Sequence, residues 1–364
     1  MKRQGEHVIM KEIQIALCGN LGHPDKFAGL INSYEESRLC AVWDSDEKAG
    51  RERAGRLGVP FYADFDELLK MPGLTGLVIC TRNFMKKELA LKAAAAGKHI
   101  FMEKPLALCK EDAWEICRAV KDSGVKFFMT DPFVDPDVMW IRDFMEGGNL
   151  GRILSLRIRF HSISMERMQG HENLPLLAAQ MGGGMMMDTG NHPVHALYFL
   201  LGKPQKVYGL LGYADEEAKR VGYDQFATEV FSYADGLTAI LEDGLVSPGA
   251  ANCIEVCGTK GIVVDETFGM HQKKPQIRYY LEEEGDAWHY VSEDDLPQKP
   301  DDHIRYFVRM LAEDIPNEMV GIDPLSHHGV SLDTAVEMAE IADAFYESVK
   351  TGKAIQVGGI YESD

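Results

Sequence analysis

The residue whose type and position most clearly suggest a chemical role is a lysine at the end of an apolar run. Lys104 follows residues 100–102, whose composition predicts a short strand, and it precedes Pro105. Proline fixes its own φ and biases the residue before it towards an extended backbone. Open α/β sheets form ligand crevices at the carboxyl ends of their strands. We therefore expect Glu103 and Lys104 at such a crevice; a surface lysine in a loop is the alternative.

A second segment pairs a carboxylate with an imidazole. Asp188 and His192 follow the glycine run 182–184, and positions four apart share one face of a helix, so Asp188 could hold His192 in one tautomer. Pro193 opposes a helix through His192, and a helix that starts at Pro193 is the alternative. A helix cap for Asp188 and a buried structural role for His192 are also open. His195, one turn further on, is the rival base.

The amino-terminal part of the chain predicts a dinucleotide crevice. Residues 13–18 form a β-favouring run that breaks into Gly19, Asn20, Leu21 and Gly22, and a helix-like stretch, 25–33, follows. Glycines in such a turn let the backbone approach a pyrophosphate, and the helix start supplies amide donors. The first glycine of the usual G-x-G-x-x-G pattern falls on Leu17, so a plain turn between strand and helix is the alternative.

Asp44 ends the next predicted strand, residues 39–43. A carboxylate there would accept hydrogen bonds from the adenosine ribose and repel a 2'-phosphate, which favours NAD over NADP. Its alternative role is to cap the following helix beside Asp46. Thr81 and Asn83 follow another strand and are expected over the same crevice.

The alternation of strands and helices predicts an α/β fold with two domains. Residues 1–130 fit a dinucleotide-binding Rossmann domain with a doubly wound parallel sheet. Two prolines and three aspartates in 131–137 indicate a junction. Several alternating runs in 131–364, one pair joined by an Asp-Gly turn, predict an α+β domain with an open, mainly antiparallel sheet. The helix 331–350 is expected to close the chain.

The composition indicates a soluble globular protein and excludes several partners. Of 364 residues, 45% are hydrophobic and 26% are charged, and the net charge of -19 would repel nucleic acid and anionic lipid. No stretch approaches the roughly 18 apolar residues of a membrane span. Seven scattered cysteines and a polar start favour the cytoplasm. No metal site is expected, because the only suggestive spacing is His-x-x-His.

The sequence resembles one oxidoreductase family. The alanine-rich run before Gly97-Lys98-His99, together with Glu103-Lys104-Pro105-Leu106, is similar to the glucose-fructose oxidoreductase, inositol dehydrogenase and rhizopine catabolism family (Gfo/Idh/MocA). The glycine run followed by Asp-x-Gly-x-His resembles its second signature. The resemblance implies that Lys104 contacts nicotinamide and substrate, that its bond to proline is often cis, and that the closing helix 331–350 packs back towards the first domain. The chain has Arg82 and Lys86 where the family usually has proline and histidine.

These observations lead to one hypothesis and one alternative. The hypothesis is an NAD-dependent oxidoreductase acting on a secondary hydroxyl or ketone of a sugar, inositol or related polyol, with Lys104, Asp188 and His192 as catalytic residues. The alternative is an NAD-binding lyase, hydrolase or ligand sensor on the same fold without net redox turnover. A homodimer or homotetramer is implied by resemblance. The expected cofactor contacts are Gly19, Asn20, Leu21, Gly22, Asp44, Thr81, Asn83, Glu103 and Lys104. The candidate substrate residues are His161, Arg167, His171 and His195.

Overall fold

The computed structural model describes residues 12–131, 133–162, 174–244, 252–269, 274, 276–326 and 329–358. Its first part alternates strands and helices, as the sequence predicts. The strands are β1 (Ile13–Cys18), β2 (Ser37–Trp43), β3 (Phe61–Tyr62), β4 (Leu74–Ile79), β5 (His99–Glu103) and β6 (Phe127–Thr130). The helices are α1 (Pro24–Ile31), α2 (Glu47–Leu57), α3 (Phe65–Leu69), α4 (Lys86–Ala95) and α5 (Lys110–Ser123).

These six strands lie in a seven-stranded sheet in the order β6-β5-β4-β1-β2-β3, and they pair in parallel. Strand order reverses between β1 and β4, which creates a crevice at their carboxyl ends. Gly19 lies at that reversal with φ +92°, and a Cβ there would collide with the carbonyl of Cys80. Leu17 is a fully buried strand residue, which explains why the turn begins only at Gly19.

The second part is built on a nine-stranded sheet of order β14-β13-β12-β11-β7-β10-β9-β8-β16. Only β7 and β10 pair in parallel among these described strands. The strands of this sheet are β7 (Ile153–His161), β8 (Lys206–Gly212), β9 (Phe226–Ser232), β10 (Thr238–Gly244), β11 (Cys253–Gly258), β12 (Gly261–Asp265), β13 (Ile277–Leu281), β14 (His289–Tyr290) and β16 (Ile355–Gln356), whereas β15 (Gly329–Val330) belongs to the first sheet. The predicted mainly antiparallel sheet is confirmed.

Helices cover one face of this sheet. The helices after residue 131 are α6 (Pro136–Glu146), α7 (Leu174–Met181), α8 (Met185–Asp188), α9 (Asn191–Leu201), α10 (Glu216–Val221), α11 (His303–Ala312) and α12 (Leu332–Thr351), and of these α11 packs on the first domain. In β7 the alternation predicted from sequence buries Leu156, Ile158 and Phe160 against the helices. No helix among the described residues is both long enough and apolar enough to cross a bilayer.

The chain returns to the first domain near its end, which differs from the predicted grouping of all residues after 130. Ile304 and Phe307 of α11 share a core with Phe27 and Phe101 of the first domain, and β15 pairs antiparallel with β6. The amphipathic face of α11 finds its apolar partner there. Helix α12 lies against both β8 and α5.

Candidate active site

A cleft of about 960 Å³ opens at the carboxyl ends of the parallel strands and extends to the second domain. Lys104 comes from the end of β5, and His192 comes from the first turn of α9. Both side chains line this one cleft. The cleft lining also contains the predicted residues Leu21, Gly22, Thr81, Asn83 and Glu103. The fold therefore brings the ammonium and the imidazole to a common cavity.

Lys104 sits where parallel strand pairing fixes the backbone. β5 pairs with β4 through Met102 and with β6 through Glu103, and Lys104 is the next residue. The peptide bond between Lys104 and Pro105 is cis, as the resemblance implied. The positive charge of Lys104 acts on both Glu103 and His192 and lowers the pKa of each group.

His192 is clamped between a carboxylate and an aromatic ring. It is 7% exposed, its Nδ1 lies 2.9 Å from Oδ1 of Asp131, and the ring of Phe133 stacks on it with centroids 4.0 Å apart. Burial lowers the pKa of His192, the charge of Asp131 opposes this, and Lys104 lowers the pKa further. The net effect favours a neutral imidazole, with Nδ1 bonded to Asp131 and Nε2 as the remaining proton acceptor.

Asp131 is a functional residue that the sequence analysis missed. It is fully buried and directly follows β6. Burial alone would raise the pKa of Asp131, but His192 and His195 outweigh it and hold that pKa well below its usual range. Its position after a parallel strand was a usable signal, although the residue lay in a segment interpreted only as a domain junction.

The predicted role of Asp188 needs correction. The Nδ1 atom of His192 bonds to Asp131, and Asp188 and His192 do not share a helix, because α8 ends at Asp188 and α9 begins at Asn191. Pro193 is accommodated within the first turn of α9, where backbone N–H groups have no partner inside the helix. The side chain of Asp188 lies outside what the structure describes.

His195 has a different environment from His192. Its Nδ1 lies 3.8 Å from Oδ1 of Asp131, and the residue is 4% exposed. Among the described lining residues of the cleft, His192 is present and His195 is not. The geometry favours His192 as the histidine that meets a ligand.

The glycine turn before α1 faces the cleft. Leu21 N–H donates to the carbonyl of Cys80, which ties the turn to the end of β4. A Cβ at Gly22 would approach Oε1 of Glu103 at 2.8 Å, and Nδ1 of His23 lies 3.2 Å from the same oxygen. Asn20 is exposed next to these glycines. The turn, the helix start and Glu103 thus form one wall of the crevice.

Asp44 does not cap α2, because Asp46 does so by accepting from Ala49 N–H. Asp44 is buried at the end of β2 and is not among the described residues that line the cleft. Oδ1 of Asp44 accepts from Asp46 N–H, while its buried Oδ2 accepts no hydrogen bond from the described residues and lies 3.7 Å from Nη1 of Arg53. Burial raises the pKa of Asp44, and Arg53 and Arg82 partly counter this effect. An unused carboxylate oxygen at the end of β2 fits a ribose hydroxyl.

Thr81 and Asn83 lie at the end of β4. Oγ1 of Thr81 is buried and has no hydrogen-bond partner within the part of the chain that the structure describes, although the residue lines the cleft. Asn83 instead donates from Nδ2 to the carbonyl of Met181 at 2.9 Å, which joins the two domains. The close approach at Gly19, the orphaned Thr81 hydroxyl and the Asp44 oxygen together fit a dinucleotide.

Comparison with known proteins agrees with this geometry. A family model described as "Oxidoreductase family, NAD-binding Rossmann fold" matches residues 13–131, and the "GFO/IDH/MocA C-terminal domain" matches residues 138–264. The chain belongs to the Gfo/Idh/MocA family. The match to both domain models agrees with the two sheets of the structure.

Relatives within the family differ in activity. The 2,7-anhydro-N-acetylneuraminate hydratase of Escherichia coli (strain K12) is 26% identical over 263 residues, which are 70% of this chain and 69% of that protein. The scyllo-inositol 2-dehydrogenase (NADP(+)) of Bacillus subtilis (strain 168) is 26% identical over 270 residues, 73% of this chain and 80% of that protein. A structure of levoglucosan dehydrogenase with NADH and levoglucosan aligns at TM-score 0.78 and 19% identity, covering 96% of this chain and all of that chain (100%).

The candidate substrate residues are only partly placed within the family fold. His161 ends β7, and its backbone N–H donates to Asn252, but Ser162 rather than His161 is among the described residues that line the cleft. Arg167 and His171 lie outside the described residues. Within the described part of the chain, His, Cys, Asp and Glu side chains form no cluster of three or more that could hold a metal.

Proposed function

We propose that this member of the Gfo/Idh/MocA family is an NAD-dependent dehydrogenase that acts on a secondary hydroxyl, or the matching ketone, of a sugar, inositol or related polyol. The observation that carries the proposal is the meeting of Lys104 and His192 in a cleft at the switch point of a Rossmann sheet. Relatives named as inositol and sugar dehydrogenases support the choice of substrate class.

His192 is the proposed general base. The Asp131 carboxylate accepts from Nδ1–H, so Nε2 carries the lone pair that receives the proton of the substrate hydroxyl. The imidazolium that forms is stabilised by the same carboxylate. The carbon that bears this hydroxyl would lose its hydride to the nicotinamide ring, which is the chemistry that a bound NAD would supply.

Lys104 is proposed to bind the reacting oxygen. Its ammonium would donate to that oxygen as the O–H proton leaves, and this stabilises developing negative charge. Its charge also lowers the pKa of His192, which keeps the base unprotonated before reaction. In the reverse direction the same two groups would polarise a ketone and return the proton.

NAD is proposed as the preferred cofactor because Asp44 presents a carboxylate where the ribose is expected. Arg53 and Arg82 favour the ionised form of Asp44, but their positive charges also offset its repulsion of a 2'-phosphate, so the preference over NADP is expected to be moderate. A dinucleotide titration of both cofactors tests this choice.

A panel of sugars and polyols incubated with NAD tests the proposed reaction. The appearance of NADH with one of them supports the dehydrogenase. The hydratase relative favours a second candidate, in which bound NAD assists addition or elimination of water without net redox turnover. Product without NADH would replace the first proposal by this one, and a panel of anhydro sugars should be included for that reason.

The chain is further proposed to form a homodimer or homotetramer through the uncovered face of its nine-stranded sheet. On that face Leu210 of β8 is 52% exposed and Val230 of β9 is 38% exposed. Exposed apolar side chains on a broad sheet face indicate an interface. Light scattering of the wild type and of V230E tests this, since a charge at the interface should yield a smaller species.

A further inference from the structure

Lys86 is buried in a way that is unusual for a lysine. It is the first residue of α4 and is 1% exposed. Lysine is almost never fully buried unless it is paired, because its ammonium loses hydration. In this chain it also occupies the position where the resemblance leads us to expect histidine. Such a residue calls for a specific partner.

The partners of Lys86 are two backbone carbonyls on either side of Lys104. Nζ donates to the carbonyl of Glu103 at 2.7 Å and to that of Pro105 at 2.8 Å. The ammonium of Lys86 therefore bridges the two residues that flank the proposed substrate-binding lysine. Lys86 also lines the cleft itself, together with Glu103 and Lys104.

The electrostatics show that this bridge is maintained at a cost. Burial lowers the pKa of Lys86 to about 7, Glu103 opposes the shift, and the like charge of Lys104 adds to it. Both the charged and the neutral amine can donate two hydrogen bonds, so both forms can hold the two carbonyls. A buried cation near a second cation is unfavourable unless its hydrogen bonds compensate for the lost hydration and for the repulsion.

We propose that Lys86 is a positioning residue, which fixes the backbone on both sides of Lys104 and thereby aims the Lys104 ammonium at the reacting oxygen. The proposal rests on the proposed role of Lys104. A residue that only filled the core would need no polar tip, and two of the three donors of the Lys86 ammonium are used on the backbone carbonyls that flank Lys104.

The test compares K86M with K98M. Lys98 also donates to a backbone carbonyl, that of Leu74 at 2.9 Å, but it lies at the opposite end of β5. A misplacement of about 1 Å at a reacting group can cost about 100-fold in rate. We expect K86M to lower kcat by about 10- to 100-fold with the Kd for NADH changed less than about threefold, and K98M to leave kcat within about twofold.

Amine rescue separates positioning from folding. In K86A, added propylammonium can occupy the space of the missing side chain and donate to the same carbonyls, so kcat should recover at least about threefold, whereas K98A should not respond. Unchanged kcat in a folded K86M, or an equal loss in K98M, would overturn the proposal. If K86M fails to fold, the rescue experiment with K86A decides. A failure of propylammonium to restore kcat in K86A would contradict the proposal.

A measurement without turnover keeps this proposal distinct from the proposed function. Amide hydrogen exchange across residues 103–108 should accelerate in K86M and stay unchanged in K98M. If the wild type turned over no polyol, the dehydrogenase proposal would fail while this measurement still reported on the bridge. Unchanged exchange in K86M would remove the bridge as a positioning device.

Discussion

Replacement of Asp131 by asparagine is the sharpest test of the proposed base. Asparagine keeps the size of the side chain but removes the charge that faces Nδ1 of His192 at 2.9 Å. A hydrogen bond to a charged group contributes about 1.5–3 kcal/mol. If this hydrogen bond stabilises mainly the imidazolium that forms during the reaction, kcat of the variant should fall by about 10- to 150-fold. The Kd for NADH should change little, because Asp131 contacts the histidine rather than the glycine turn.

The pH profile gives an independent readout. The charge of Asp131 raises the pKa of His192 against the effects of burial and Lys104. Without it the pKa falls further, so the acidic limb of kcat/KM in D131N should move to lower pH, although the plateau is lower. A purely structural loss would reduce activity at every pH without moving the limb.

The matched control is H195N. His195 is as buried as His192 and lies 3.8 Å from the same carboxylate, but it does not appear among the described residues that line the cleft. H195N should lower kcat by less than about fivefold. Equal losses in H195N and H192N, or a D131N enzyme with wild-type kcat and pH limb, would refute the assignment of His192 as base.

Three further predictions follow from single side chains. H192N should lower kcat by about 100- to 10,000-fold with unchanged NADH affinity, measured by steady-state kinetics and fluorescence titration. D44A should weaken NAD and narrow its preference over NADP, and an unchanged ratio of the two Kd values would remove Asp44 from ribose binding. Burial raises the pKa of Glu229 beside Asp243 from 4.5 to about 8, so the folded state holds a proton that the unfolded state loses, and stability should fall as pH rises through that window. E229Q should flatten this fall by up to about 1.4 kcal/mol per pH unit in urea unfolding, and an unaltered slope would contradict it.

The fold was accessible from sequence because its signals are local. The turn at Gly19, the alternation in β7 and the Asp-Gly hairpin between β9 and β10 each depend on neighbouring residues. The return of α11 to the first domain was not predictable in that way. Its apolar stripe shows that it must pack, but the stripe does not identify Phe27 and Phe101 as the partners.

The candidate site likewise contains some residues that the sequence identifies and others that it does not. Lys104 and His192 were recognisable from short motifs, whereas the residues that hold them were not. Asp131 is 61 positions from His192, and Lys86 is 17 positions from Glu103. Glu103 and Asp131 lie at the ends of neighbouring strands, and the pairings arise only when the helices α4 and α9 bring Lys86 and His192 to that edge of the sheet. Sequence patterns thus identified two groups that line the cleft and missed the groups that contact them or their neighbours.

The orientation of His192 also depends on the contact between the domains. Asp131 follows the last parallel strand of the first sheet, and His192 belongs to α9 over the second sheet. Their hydrogen bond and the bond from Asn83 to the carbonyl of Met181 both cross this boundary. A rigid separation of the domains would lengthen both contacts and release the imidazole from its carboxylate. We therefore expect ligands to enter through the existing mouth of the cleft, because a separation of the domains would break the hydrogen bond that orients His192.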